Sequence, residues 1–190
     1  MEIVCIDKID STHLFMCKKA RKGDIDKPFA LYALEQTGGV GSRDNSWQSQ
    51  RGNLHLSFCL NRENLAPDLP LSSLSIYFAF LFKEVLAANG SCVWLKYPND
   101  LYLDDKKIGG VMSAKINDFI IISTGINAKF APFGAATLDI NVDLADLVDK
   151  FAKEIEKNLF WKEIFSKYMV EFQKSKNYSF HYDGKEVPLD

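Results

Sequence analysis

Period-two and helical hydrophobic patterns alternate along the chain, and strands dominate its first two thirds. The spacing predicts a short strand over Ile3–Asp7, then an amphipathic helix from His13 to about Lys22. Ser11 or Asp10 can cap that helix and Gly23 ends it. Phe29–Glu35 reads as a strand entering a glycine-rich segment, Gly38–Asn45. Leu54, Leu56, Phe58 and Leu60 alternate with His55, Ser57 and Cys59, the pattern of a half-buried strand. Beyond a loop over 61–70, Leu71–Asn89 predicts a buried helix that Gly90 stops. Val93–Lys96 predicts a strand broken at Pro98. Leu101–Leu103 and Lys106–Ala114 predict a hairpin across Asp104-Asp105, and the turn Asn117-Asp118 leads into a β-branched strand, Phe119–Ser123. Between Leu144 and Phe172 apolar residues recur at helical spacing, which predicts one or two long helices. Asp183-Gly184 signals a last hairpin with no third strand to pair with. That tail either docks on the domain or begins a further unit. Strands joined by hairpins, with helices between them, predict an α+β fold with a mixed, mostly antiparallel sheet and helices packed on it.

Composition narrows the function. At 190 residues, 47% of them hydrophobic, the chain forms one domain with a full core and is not disordered. Lys and Arg number 23 against 25 Asp and Glu, a net of −2. Holding a polyanion takes about six clustered phosphate contacts, and no basic block supplies them, so neither DNA nor an anionic membrane is an expected partner. The four cysteines and three histidines are scattered, without the close-spaced pairs of a structural zinc site. The opening MEIVCIDKID lacks a secretory pattern, and the apolar stretch Leu74–Phe82 falls short of the ~20 residues of a membrane span. The expectation is a soluble, cytoplasmic protein with reduced thiols.

Three segments hold candidate chemistry. In Gln36-Thr37-Gly38-Gly39-Val40-Gly41-Ser42-Arg43-Asp44-Asn45-Ser46-Trp47, closely spaced glycines let backbone amides approach an anion; a flexible hairpin loop reads equally from the same residues. No Gly-Lys-Ser/Thr opens a helix, so it is not a P-loop. In Lys96-Tyr97-Pro98-Asn99-Asp100, followed by Lys107-Ile108-Gly109-Gly110, Asn99 and Asp100 suit a turn. Lys107, beside a run that should be buried, calls for an anion. Ser123-Thr124-Gly125-Ile126-Asn127 ends a strand with an amide that either closes a turn or meets a phosphate.

In their order along the chain, Asp10-Ser11-Thr12, Gln36…Gly39-x-Gly41-x-Arg43…Trp47, Lys-Tyr-Pro-Asn-Asp, Lys-Ile-Gly-Gly and Gly-Ile-Asn resemble the biotin protein ligases over nearly the whole length. The resemblance implies a catalytic domain of the biotinyl/lipoyl ligase, class II synthetase-like fold over 1–176. It implies also the start of a C-terminal SH3-like domain over 177–190, incomplete here, and no N-terminal DNA-binding domain. The implied activity is ATP-dependent formation of biotinyl-5′-AMP with release of pyrophosphate. Transfer of biotin to a lysine of the biotin carboxyl carrier protein of acetyl-CoA carboxylase follows, with release of AMP. Implied catalytic residues are Lys107, Asp100 and Arg43. Biotin falls to Ser11, Thr12, Gln36, Gly39, Gly41, Trp47, Ser57, Lys107 and Gly110. ATP falls to Arg43, Asn45, Trp47, Lys107, Asn127 and the aromatic pair Phe130 and Phe133, with Mg²⁺ accompanying the triphosphate on ligands the sequence does not identify. Packing explains Trp47, Phe130 and Phe133 as readily. The expected oligomeric state is a monomer or weak homodimer.

Two departures stand out. The family loop usually reads Gly-Arg-Gly-Arg-x-Gly-Arg-x-Trp, and Val40, Ser42 and Asn45 stand where its arginines would be. Tyr97 replaces the usual Trp of Lys-Trp-Pro-Asn-Asp. A lipoate- or octanoate-protein ligase or transferase of the same fold, and a non-catalytic biotin- or carrier-binding module, remain alternatives.

Overall fold

Seven strands form one sheet in the order β1-β2-β3-β7-β6-β5-β4, and a separate hairpin lies at the C-terminal end. The computed structural model describes residues 1–42, 45–182 and 185–189. Strand β1 (Glu2–Ile9) runs parallel to β2 (Phe29–Gln36), because helix α1 (Thr12–Lys22) returns the chain to the same end of the sheet. All other pairings are antiparallel: β3 (Leu54–Asn61) on β2 and on β7 (Phe119–Ile126), β6 (Lys106–Ile116) on β7, then β5 (Asp100–Leu103) and β4 (Trp94–Lys96). The expected mixed, mostly antiparallel α+β fold is the observed one.

The helix ends follow local chemistry. Ser11 caps α1, its hydroxyl accepting from the Leu14 N–H, and Gly23 closes it in the left-handed region at φ 75°. Three residues that read as the start of the second helix form a separate 3-10 turn, Leu71–Ser73, and the α-helix α2 runs from Leu74 to Ala88. By length and composition the segment Leu71–Ala88 would span a membrane, but half of it is buried inside the domain. The helical pattern from 144 onward resolves into two helices, α3 (Leu144–Glu156) and α4 (Trp161–Ser175), parted where Asn158 takes φ 48°.

Two cores sandwich the sheet. Leu54, Leu56, Phe58 and Leu60 join α2, α3 and α4 on one face, where Phe82 stacks on Phe151 at 4.3 Å. On the other face Met16, Cys17 and Ala20 of α1 pack with Leu31, Cys59 and Ile121. Strand β3 is therefore buried on both faces, not half-buried: α1 covers the side that carries His55, Ser57 and Cys59. Across that side, register sets Ser57 opposite Ser123 and His55 opposite Gly125. This polar row is enclosed where the surrounding strand positions are apolar.

The tail forms the hairpin β8 (Ser179–Tyr182) and β9 (Lys185–Pro188). Its predicted turn, Asp183-Gly184, lies outside the described residues. Tyr178, just before it, docks beside Trp94 at 5.3 Å, and the Lys96 ammonium sits over the Tyr102 and Tyr178 rings at 5.2 and 5.5 Å.

Candidate functional site

The parallel pairing of β1 and β2 sets Ile9 beside Gln36, so the start of α1 emerges next to the end of β2. Gln36 Oε1 there accepts from the Thr12 N–H at 2.8 Å and from the Thr12 hydroxyl at 3.1 Å, while Gln36 Nε2 donates to Ser49 Oγ at 3.1 Å. Beneath them Ser57 Oγ lies 2.9 Å from Thr12 Oγ1 and 2.8 Å from Ser123 Oγ. His13 Nδ1 is 2.8 Å from Ser123 Oγ, and its Nε2 is 3.4 Å from Cys17 Sγ. Burial, and the positive charge of Arg21, push the His13 pKa down; burial pushes the Cys17 thiol up. Both groups are held neutral.

The glycine-rich segment folds over this row as a small hairpin. The Trp47 N–H donates to Gly39 O at 2.8 Å and the Gly41 N–H to Asn45 O at 2.7 Å, with Val40 bridged to Ser46. Two close approaches require glycine. A Cβ on Gly39 would lie 2.6 Å from Ser49 Oγ and Trp47 O, and one on Gly125 would lie 2.4 Å from Trp47 Cε2. The indole is thus seated on bare backbone of β7, with its Nε1 buried and unpartnered. Arg43 lies outside the described residues.

From the far side come β5 and β6. Asp100 pairs in register with Gly110, and Lys107 Nζ approaches Asp100 Oδ1 to 2.6 Å, both side chains partly exposed. Asn99 Nδ2 donates to Val111 O. After β7 the chain crosses the end of β6: the Asn127 N–H donates to Ile108 O at 2.7 Å and the Ala136 N–H to Lys107 O at 3.0 Å. Buried Asn53 latches this segment, taking the N–H groups of Lys129 and Phe130 at 3.0 Å each and donating to Phe130 O at 2.8 Å. Asn127 Oδ1 is buried without a partner.

These parts enclose two adjoining clefts. The first is walled by Ser11, Thr12, Gln36, Gly41, Trp47, Asp100, Lys107 and Gly110 of the expected residues. Gly39 and Ser57 do not line it, and Ser57 bonds to Thr12 and Ser123, which do. The second is walled by Asn45, Trp47, Lys107 and Asn127 of the expected set, together with Pro132 and Ala135. Phe130 and Phe133 line neither; the Phe133 ring stands free in solvent. Trp47 and Lys107 belong to both clefts, so the Lys107 ammonium lies at their seam. Sequence reasoning missed His13 and Met112 in the first cleft, and named Ser123 only as part of the segment that ends at Asn127. Ser123 was findable: a polar side chain inside the run Phe119–Ile126 needs a partner. Among the described residues no cluster of three or more His, Cys, Asp or Glu could hold a metal ion.

Comparison with known proteins locates this architecture. A profile of the biotin/lipoate A/B protein ligase family matches residues 5–127. The bifunctional ligase/repressor BirA of Escherichia coli and that of Salmonella typhimurium are each 30% identical over 93% of this chain. The chain spans 60% of the length of these curated relatives. A structure of biotin acetyl-coenzyme A carboxylase synthetase from Helicobacter pylori, with bound biotinylated ATP, superposes with a TM-score of 0.93 at 40% identity, covering 99% of this chain and 90% of that one. A biotin protein ligase from Aquifex aeolicus, in complex with biotin and ATP, shares the fold at a TM-score of 0.80 and 24% identity, over 99% of this chain and 86% of that one.

Proposed function

This chain belongs to the biotin/lipoate A/B protein ligase family, and from that premise we propose that it activates biotin with ATP and transfers it to a carrier lysine. The observation that carries the reading is the seam: two adjoining clefts share Lys107 and Trp47. Joining an acid to an amine in water is uphill, so the carboxylate must first be activated. A biotin carboxylate oxygen attacks the α-phosphorus of ATP, and pyrophosphate leaves. Two anions meet in that step, and catalysis is mainly positioning and charge neutralisation. Lys107, held by Asp100 at 2.6 Å, supplies the charge where the clefts join.

The polar first cleft suits the ureido ring, with Ser11, Thr12, Gln36 and Ser57 as hydrogen-bonding groups and Gly39, Gly41 and Gly110 allowing close approach. Trp47 closes over the valeryl chain. The second cleft takes the nucleotide against Asn45 and Asn127, with Arg43 on the phosphate and Phe130 and Phe133 as rings that close on adenine. Mg²⁺ brought with ATP would neutralise the triphosphate, and the unpartnered Asn127 Oδ1 fits it or its bound water. In the second step the carrier amine attacks the acyl carbon and AMP leaves. The amine reacts in its neutral form, and Asp100 orients it or takes its proton.

The same reading makes residues 1–176 the catalytic unit and 177–190 the opening of an SH3-like one. The acceptor is the biotin carboxyl carrier protein of acetyl-CoA carboxylase, in the cytoplasm, and the enzyme is a monomer or weak homodimer. Isotope exchange between pyrophosphate and ATP tests it. Exchange should require biotin and fail with lipoate; exchange supported by lipoate alone transfers the reading to the lipoate branch, and exchange with neither leaves a binding module.

A further inference from the structure

The hydroxyl row under the first cleft has a determinable proton order. Gln36 Oε1 takes the Thr12 backbone N–H at 2.8 Å, so that oxygen is an acceptor and the Thr12 hydroxyl must donate to it at 3.1 Å. A hydroxyl has one proton. Thr12 has spent its own, so Ser57 donates to Thr12 at 2.9 Å, and Ser123 must then donate to Ser57 at 2.8 Å. His13 Nδ1 therefore bears the proton it shares with Ser123 at 2.8 Å, and its Nε2 accepts from the Cys17 thiol at 3.4 Å. Every donor in the row points the same way, from Cys17 to Gln36. The neutral states that burial imposes on His13 and Cys17 agree with this order.

We infer that His13 is a specificity-determining positioning residue: by donating to Ser123 at one end while Gln36 accepts at the other, it locks the hydroxyls of Thr12 and Ser123 as acceptors toward the cleft. Both residues line that cleft, with Ser57 linking them from behind. Each has one lone pair left and no proton to offer. Such a wall takes ligand N–H groups and rejects a ring that presents only lone pairs, since two acceptors would then face each other unpaired. This deepens the proposed function and rests on it, because the two ureido N–H groups of biotin are the donors the wall fits. Without His13 the Ser123 hydroxyl loses the N–H that fixes its orientation, and its proton can turn toward the cleft, while Gln36 still orders Thr12.

The test compares biotin with its cyclic carbonate analogue, in which oxygen replaces both ureido N–H groups, by displacement calorimetry on the full chain. The wild type should bind biotin and exclude the carbonate. His13→Leu should narrow the ratio of the two affinities by about tenfold, the worth of one hydrogen bond of ordinary strength. His13→Asn, which keeps an N–H donor at the same reach, should retain the wild-type ratio. If His13→Leu does not fold, Ser123→Ala breaks the row at the same link and should narrow the ratio likewise. A folded His13→Leu or Ser123→Ala that excludes the carbonate as strongly as wild type overturns the inference while leaving biotin ligation untouched. A wild-type chain that binds no biotin overturns the functional reading and this inference with it.

Discussion

His13 and His55 are both largely enclosed, and burial lowers the pKa of each. The unfolded chain, with ordinary histidines near pKa 6.5, binds protons at a pH where the folded chain does not. Stability then rises with pH across that window and falls as pH drops below about 6.5. Thermal melts between about pH 7.5 and 5.5 should show a falling midpoint, with a shallower slope for His13→Asn. A midpoint independent of pH over that range would mean that neither ring is held neutral. Residue identity was legible at the site where chemistry left a local mark. Lys107 stood out as a cation beside a buried run, and it lies at the seam of both clefts. His13 left no such mark, since an imidazole in the first turn of an amphipathic helix reads as an ordinary face residue until Ser123 arrives from β7, far along the chain.

The hairpin over Gly38–Trp47 closes largely on itself, through Gly41 to Asn45 and Asn45 Nδ2 to Ser42 O at 2.9 Å. Val40, Ser42 and Asn45 bring no charge to the seam. An acyl-adenylate held through Arg43 alone should leave faster than one gripped by several guanidinium groups, whose charge-assisted hydrogen bonds are each worth roughly 1.5–3 kcal/mol. Asn45→Arg should accordingly slow release of biotinyl-5′-AMP by about tenfold or more and reduce labelling of bystander lysines. An unchanged release rate would show that backbone amides of the loop already hold the phosphate. Element types were readable because period and caps agree, as in α1 between Ser11 and Gly23. Burial was not: β3 reads as half-buried because Ser57 and His55 are polar, and only packing by α1 reveals that both faces are covered. Phe130 and Phe133 line neither cleft: Asn53 anchors the backbone at Lys129 and Phe130 and leaves both rings outside the walls.

The sheet brings four distant stretches of chain to one place: the α1 start, the glycine-rich hairpin, the β5–β6 pair and the segment after β7. Because Gly41, Ser42, Trp47 and Lys107 wall both clefts, a ligand that settles this shared wall prepares it for the other. Calorimetry should find biotin binding tightened about fivefold or more by a non-hydrolysable ATP analogue, and equal affinities with and without it would contradict this coupling. The seam itself is tested by single-turnover formation of biotinyl-5′-AMP in Lys107→Ala against Lys106→Ala, whose exposed side chain points to the opposite face of β6. Lys107→Ala should lose about 10²–10³-fold in that rate, and Lys106→Ala should stay near the wild-type rate. A folded Lys107→Ala that forms the adenylate at the wild-type rate would contradict this.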